Sequence, residues 1–418
     1  MDHKKMITQY LDDHQDELFA LLSALIQQDT QNFNHDGLEE NGQKVLAEYC
    51  RKYGFDPVLY CPDSVPGLTE SVGYLPGRGT DHRPNLSVVY GPEKWDKRVT
   101  LAAHMDTVPI GDEAAWTESP FSGSIHDGHL YGRGAGDDKS GIAAGLFAMR
   151  AIRELNIPIK DQVVLTSYVD EEFGGGNGSL ATCMKYPSDA YLNLDARDIN
   201  CWGVGGIQLL LHINTRFKAE DSRHALEGAN RAVQKLKAFG DKLTAELKAH
   251  PVYADSHQAD TALRFMEVSA GTRGTDMGHG KVEFVFYAIR PQEEIMAELE
   301  EIRLRLAREL DALELDVSEY EKVSRYFIPY LPEKPGENAV LFQRLFSEQL
   351  GKPVEFCGCC LSDLNIYGPF GGGEAFNTGV GYPFHHIGGA HQPNECIPCD
   401  KLLGLAKAVA LYLAEGVR

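Results

Sequence analysis

The sequence has no long hydrophobic run. No apolar stretch approaches the roughly 18 residues that a transmembrane helix needs, so no membrane span is predicted. The N-terminus, MDHKKMITQYLDDHQDE, is polar and acidic, which argues against a secretory signal. These absences predict a cytoplasmic protein that does not associate with a membrane.

The sequence has an odd number of cysteines, 9 in 418 residues. An odd number fits a reduced cytosol better than a secreted disulfide framework. Cys396 and Cys399 form a C-x-x-C pair, which leaves a structural zinc or a redox pair as an alternative. No second pair of the same spacing accompanies it.

Basic residues are too few to balance the acids. The chain has 40 Lys and Arg against 61 Asp and Glu, a net charge of -21. Such a chain repels nucleic acid and anionic membranes, so neither is an expected partner.

Several catalytic motifs are also missing. The sequence contains no H-E-x-x-H, no G-x-S-x-G, no Walker A loop and no dinucleotide fingerprint in the right context. Repeats and low-complexity tracts are absent as well. These absences argue against a metallopeptidase of the H-E-x-x-H type, against a serine hydrolase with a G-x-S-x-G motif, and against a nucleotide-binding enzyme.

The hydrophobic pattern alternates short apolar runs with amphipathic stretches. It predicts helices over residues 4–28, 38–53, 142–155, 225–250, 293–313 and 401–416, and strands over 86–90, 99–104, 163–169, 191–194, 207–213 and 282–289. This alternation predicts an α/β fold with a largely parallel, mixed sheet flanked by helices. The block 205–321 could bury a small α+β core of its own, between a main domain formed by 1–204 and 322–418.

Polar residues gather where predicted strands end. His104 and Asp106 lie two residues apart on VTLAAHMDTV, so both point to one face. A core histidine with a hydrogen-bonded aspartate would look the same. Asp137 and Asp138 follow in a glycine-flanked turn, where two adjacent acids repel each other unless a cation compensates them.

Two further segments complete the set. VVLTSYVDEEFGGG ends in Asp170, Glu171 and Glu172, and AYLNLDAR delivers Asp195; either could be a plain solvated turn. The loop HHIGGAHQPNECIP adds His391, with His385 and His386 as alternatives. Together these nitrogen and oxygen donors suit two divalent ions that share a carboxylate, with zinc favoured and cobalt or manganese as alternatives.

The order of these motifs resembles the co-catalytic zinc aminoacylase/carboxypeptidase family. The motifs are H-x-D, G-R-G-x-x-D-[DM]-K-x-G, [DE]-E-E, a lone acid after a strand, and G-x-x-H-x-P-x-E. That family includes acetylornithine deacetylase, succinyl-diaminopimelate desuccinylase, carboxypeptidase G and several dipeptidases. The resemblance is strong over 99–198 and 388–397 and weak over 206–320.

The resemblance implies a role for each matching residue. His104 and Asp195 would hold one metal, Glu172 and His391 the second, and Asp137 would bridge the two. It further implies that Asp106 orients His104 and that Glu171 is the general base. The block 205–321 would be a lid of the dimerisation type, so a homodimer is also expected.

The sequence departs from this family at two points. The lid histidine that helps to stabilise the oxyanion falls at Asp221, so we expect His224 to replace it, with His212 as the other candidate. The S/T-D-A-R stretch, whose arginine often binds a substrate carboxylate, reads Ser362-Asp363-Leu364-Asn365 without its arginine. Arg290, in AIRP, matches an Arg-Pro pair that usually ends a lid strand.

The resemblance therefore implies a metal-dependent amidohydrolase acting on an N-acyl amino acid or a small peptide. A dipeptidase or carboxypeptidase of the same family is the closest alternative. A weakened homologue kept as a binding or regulatory module is another, prompted by the altered lid histidine and the missing arginine. A purely structural acidic protein is the third.

Overall fold

The computed structural model describes residues 3–216, 223–271 and 278–418. The helices in these ranges are α1 (His3–Asp13), α2 (Gln15–Ile26), α3 (Glu39–Lys52), α4 (Lys139–Glu154), α5 (Asn177–Lys185), α6 (Arg223–Ala249), α7 (His257–Asp260), α8 (Gln292–Asp311), α9 (Glu337–Leu350), α10 (Leu364–Gly371) and α11 (Cys399–Glu415). The strands are β1 (Pro57–Tyr60), β2 (Asn85–Tyr90), β3 (Arg98–His104), β4 (Ile125–His126), β5 (His129–Tyr131), β6 (Gln162–Tyr168), β7 (Ala190–Asn193), β8 (Ile199–Gly203), β9 (Gly205–Thr215), β10 (Leu263–Ala270), β11 (His279–Ala288), β12 (Leu315–Val317), β13 (Glu321–Lys322), β14 (Phe356–Cys359), β15 (Glu374–Asn377) and β16 (Cys396–Pro398).

The single helix predicted over 4–28 is two helices in the structure. His14 separates α1 from α2 because its backbone leaves the helical conformation, with φ at -115° and ψ at 14°. The apolar periodicity continues across this break, so the pattern alone does not reveal it. The other predicted helices and strands match observed elements with shifts of a few residues at their ends.

The chain divides into two compact units. The first comprises residues 1–201, 332–357 and 366–418, and the second comprises 202–331 and 358–365. The return of residues 358–365 to the second unit is a feature that the sequence does not reveal. Neither unit contains a described helix long and apolar enough to cross a membrane.

The large sheet of the first unit has the strand order β1-β2-β6-β3-β7-β15-β8-β14. Its centre is parallel, since β3 pairs in parallel with β6 and β7, and β15 pairs in parallel with β7. The β1–β2, β2–β6 and β15–β8 pairs are antiparallel. The mixed α/β architecture predicted from the sequence is thus confirmed. Parallel strands bring their carboxyl ends to one edge, where ligands bind in such folds.

Helix α4 packs against this sheet along its small residues. Its residues from Lys139 to Ile152 are all buried. Gly141 approaches the next layer so closely that a Cβ there would lie 2.7 Å from Leu194 Cβ. This close packing fixes the N-terminus of α4, which directly follows Asp137 and Asp138.

The second unit is an antiparallel sheet with helices on one face. Its strand order is β10-β11-β9-β12, with β13 also paired to β9. Helices α6 and α8 cover it with the apolar faces predicted from their periodicity: Leu236, Phe239, Leu243 and Leu247 from α6, and Ile295, Leu299, Ile302, Leu306 and Leu310 from α8 are all buried. The unit therefore has its own core. Its role as a lid stays a prediction.

Candidate metal centre

Strand β3 carries the first predicted metal ligand to the edge of the sheet. His104 is its last residue and is fully buried. Nδ1 of His104 donates a hydrogen bond to the backbone carbonyl of Asp106 at 2.8 Å. That bond fixes the tautomer in which Nε2 of a neutral ring has a free lone pair. Nε2 lies 2.9 Å from Oδ1 of Asp137.

Asp106 contacts His104 mainly through its main chain, and its predicted role in orienting that ring stays a prediction. Its carboxylate is 3.7 Å from His104 Nδ1, and the main chain makes the hydrogen bond instead. The carboxylate accepts hydrogen bonds from the backbone N–H groups of Glu171 and Glu172, each at 3.0 Å, and from Asn32 Nδ2 at 2.8 Å. Asp106 therefore links β3 to the turn that carries both glutamates.

Asp137 lies between two imidazoles. While its Oδ1 faces His104, its Oδ2 is 3.2 Å from Nε2 of His391. The same His391 nitrogen is 3.2 Å from Oε2 of Glu172. One carboxylate thus joins the two halves of the cluster.

Two groups of donor atoms have the spacing of metal ligands. His104, Asp138 and Asp195 form one, and Asp137, Glu172 and His391 form the other, with the ligand atoms of each group within 4.8 Å of one another. The structure thus brings together His104, Asp137, Glu172, Asp195 and His391 from the sequence prediction. Asp138, to which the sequence interpretation gave no role, is an additional member. Its Oδ1 is buried and has no hydrogen-bond partner among the described residues.

The cluster contains more carboxylates than imidazoles, and this excess of negative charge favours bound cations. Burial lowers the pKa of His391, but the charge of Glu172 and the contact with Asp137 outweigh burial and raise it to about 12. Burial also works against His104, whose pKa is nevertheless raised well above its usual value by Asp137. Burial and the charge of Asp195 raise the pKa of Asp138. Divalent ions would compensate the same excess of carboxylates, so the donor set fits a metal pair.

Glu395 connects the loops that carry Asp137 and His391, and the sequence interpretation missed this role. Its buried carboxylate accepts hydrogen bonds from the backbone N–H groups of Gly136 at 2.8 Å and of Asp137 at 3.1 Å. It also pairs with Arg133 at 2.6 Å. Strand β16 begins at the next residue and pairs with β5, which fixes the same loop from the other side. The final glutamate of G-x-x-H-x-P-x-E was the available signal.

The remaining predicted residues lie elsewhere. His224 is half-buried in the first turn of α6, in the second unit, and the position of Asp221 is outside the described residues. His212 lies on β9, where its Nδ1 is 2.9 Å from Nε2 of His279. His385 and His386 are exposed and belong to neither donor group.

The cysteine pair and Arg290 have no place in the cluster. Burial raises the pKa of the thiols of Cys396 and Cys399, and no described cysteine joins a group of metal-ligand spacing. Arg290 forms ion pairs with Glu246 at 2.9 Å and Glu298 at 2.8 Å.

A family model matches this chain over residues 100–415, and its description is peptidase family M20/M25/M40. The chain belongs to this family. This match confirms the resemblance stated from the motifs.

Curated relatives of this M20 chain align only in part. An N-formyl-4-amino-5-aminomethyl-2-methylpyrimidine deformylase of Bacillus subtilis is 30% identical over 201 residues, 47% of this chain and 42% of that protein. A succinyl-diaminopimelate desuccinylase of Cereibacter sphaeroides is 43% identical over 144 residues, 30% of this chain and 37% of that protein. The aligned part is less than half the length of each relative.

Solved structures match the M20 chain along nearly its whole length. A di-peptidase of Saccharomyces cerevisiae has a TM-score of 0.75 at 15% identity, covering 99% of this chain and 98% of that one. A Bacillus subtilis protein described as a dinuclear metal binding peptidase has a TM-score of 0.60 at 14% identity, covering 96% and 98%. At these identities the likeness establishes the fold alone.

Proposed function

We propose that this protein is a metal-dependent amidohydrolase that cleaves the amide bond of an N-acyl amino acid or a small peptide. The observation that carries the proposal is the carboxylate of Asp137, whose two oxygens each face the imidazole of a different donor group. Membership of the M20 family and the acyl-amino-acid and amide substrates in the names of the relatives support it.

The proposed centre takes two divalent ions. His104 and Asp195 would hold one ion, Glu172 and His391 the other, and Asp137 would bridge them. Zinc suits these mixed nitrogen and oxygen ligands, and cobalt or manganese could replace it. When bound, such a pair supplies Lewis-acid chemistry, polarising a carbonyl oxygen and lowering the pKa of water.

Glu171 is the proposed general base. It is the chain neighbour of Glu172, and its backbone N–H is fixed by the Asp106 carboxylate at 3.0 Å. Its own carboxylate would take a proton from the attacking water and deliver it to the nitrogen of the leaving amine. His224 is the proposed extra donor to the oxyanion.

The first experiment is a substrate panel on protein reconstituted with zinc or cobalt. N-formyl, N-acetyl and N-succinyl amino acids and dipeptides are each incubated with the protein, and release of the free amine is measured. The metal content is determined in parallel by elemental analysis. We expect two ions per chain and turnover of at least one substrate class.

The controls separate the alternatives. Asp137→Asn protein, treated identically, should bind less metal and release no amine above background. A wild-type protein that binds two ions but turns over nothing would favour a binding or regulatory module. Failure to bind any divalent ion would favour a structural protein.

We further propose a homodimer and a cytoplasmic location. The homodimer rests on the family resemblance, and the location rests on the odd number of cysteines, which fits a reduced compartment. Sedimentation of the purified protein tests the first, and fractionation of cells that express the full chain tests the second.

A further inference from the structure

The turn that carries Glu171 and Glu172 is flanked by two residues whose backbone φ angles are positive. Asp170, its first residue, has φ at 68°, a left-handed conformation that is uncommon outside glycine. Phe173, just after the turn, has φ at 58°. These two residues flank the proposed base and a proposed ligand, and surrounding contacts are needed to hold such backbone conformations.

Arg78 supplies contacts at both ends of this turn. Its Nε donates to Oδ1 of Asp170 at 2.8 Å, and its Nη2 donates to the backbone carbonyl of Glu172 at 2.9 Å. Its Nη1 donates to the side-chain carbonyl of Asn34. The side chain is 2% exposed, so all three nitrogens act inside the protein. A single planar guanidinium therefore joins Asp170, Glu172 and Asn34.

Arg78 is itself held in place. Nη1 of Arg83 donates to the backbone carbonyl of Arg78 at 2.8 Å, and Nε of Arg83 pairs with Glu39 at 2.9 Å. Arg78 forms an ion pair with Asp170, and Arg83 forms ion pairs with both Glu39 and Asp170. These buried ion pairs fix the position of the Arg78 guanidinium.

The opposite side of the turn is held by Asp106. Its carboxylate accepts from the N–H groups of Glu171 and Glu172, while Arg78 donates to the carbonyl of Glu172. The turn thus has an acceptor on its N–H side and a donor on its carbonyl side. We propose that Arg78 is a positioning residue that sets the geometry of Glu171 and Glu172; this inference rests on the function proposed above.

The experiment compares Arg78→Ala, Arg78→Gln and Arg78→Lys with Arg150→Ala as a matched control. Arg150 is also a buried arginine with two ion pairs, to Glu17 at 2.9 Å and to Glu154 at 2.8 Å, but it touches neither glutamate of the turn. Affinity for cobalt is measured by absorption, and kcat and KM are measured at saturating metal.

We expect the Arg78 variants to bind the second cobalt ion roughly 10–100-fold more weakly, as is typical when a residue that orients a ligand is lost. At saturating metal their kcat should still fall at least 10-fold with little change in KM, because Glu171 is displaced as well. Arg78→Lys should restore neither cobalt affinity nor kcat, because the ammonium group of lysine cannot reproduce the planar arrangement of several N–H donors in a guanidinium. Added guanidinium should recover part of the kcat of Arg78→Ala and none in Arg150→Ala.

Three results would overturn the proposal. The first is a folded Arg78→Gln protein whose cobalt affinity equals that of the wild type. The second is an Arg78 variant that has the wild-type kcat at saturating metal. The third is an Arg150→Ala protein that loses as much cobalt affinity and kcat as the Arg78 variants. Wild-type protein without turnover would count against the proposed function, whereas the cobalt comparison would still decide the role of Arg78.

Discussion

Glu171 and Glu172 are adjacent, yet their surroundings differ. Glu172 is 4% exposed and contacts His391, whereas Glu171 is half-buried and is absent from both donor groups. We expect Glu171→Gln to keep both metals and to lose about 10²–10⁴-fold in kcat, because a positioned base contributes that much. Glu172→Gln is the comparison and should lose metal. Equal metal loss in both variants would make Glu171 a ligand. Elemental analysis and steady-state rates provide the measurement.

The lid histidine is a second prediction at the level of single residues. We expect His224→Ala to lower turnover about 10²–10³-fold without changing metal content, as for the loss of one oxyanion donor. His212 is a suitable comparison because its ring already contacts His279 and, at 3.4 Å, Glu321. Near-parental rates in both variants would mean that the second unit supplies no histidine to the oxyanion.

Some site residues could be found from the sequence and others could not. His104, Asp137 and His391 stand out because their residue types and their order along the chain reflect metal chemistry. Arg78 lacks such a signal, since it lies in an irregular segment between β1 and β2 and is 94 residues from Glu172. Only the packed structure reveals such long-range hydrogen bonds.

Among the elements, the segment before β16 determines how the two halves of the centre are joined. Glu395→Gln would remove the charge that holds Arg133 and would replace one acceptor oxygen by a donor facing backbone N–H groups. We expect metal affinity to fall roughly 10–100-fold, as for other residues that support ligands. Glu355→Gln, at an exposed position, should have no effect. Titration with zinc and a competing chelator measures both. Unchanged zinc affinity in Glu395→Gln would mean that Glu395 contributes to packing and not to metal binding.

Helix α11 contains a lysine near its start whose environment predicts a pH effect. Burial lowers the pKa of Lys401 from 10.5 to about 8. Between these two values the unfolded chain binds more protons than the folded one, so the free energy of unfolding rises with pH. The gain should be on the order of 2 kcal/mol from pH 8 to 9.5.

Urea unfolding across this pH range tests the effect. Lys401→Met should lose that rise relative to wild type, whereas Lys94→Met, at an exposed position, should retain it. The same slope in Lys401→Met and wild type would contradict the assignment to Lys401.

The elements themselves were predictable to differing degrees. The faces of α6 and α8 follow directly from apolar spacing, and both helices bury those faces as expected. Strand β15 escaped prediction because four residues, Glu374–Asn377, contain too short an apolar pattern. Strand β10 is mostly exposed, so it lacks the alternation that marks a half-buried strand.

At the scale of the whole molecule, the proposed ions should also stabilise the fold. A ligand that binds only the native state adds about 4 kcal/mol when it is present at 1,000 times its dissociation constant. We therefore expect the midpoint of thermal unfolding to fall when a chelator removes the metals and to recover when zinc returns. Asp137→Asn should show a smaller response. Identical melting curves for chelated and zinc-loaded wild type would argue against ions bound tightly to the native state. Differential scanning calorimetry measures these shifts.

Strand β15 has a consequence for how the protein is made. It pairs with β7 along its full length, yet it leaves the ribosome about 180 residues later. At a synthesis rate of about 5–20 residues per second, the nascent chain would wait roughly 10–40 s with the backbone edge of β7 unpaired. An apolar strand with an open edge is a template for aggregation. Translation of the long segment between these strands is therefore a period in which a chaperone that covers the edge of β7 would protect the growing chain from aggregation.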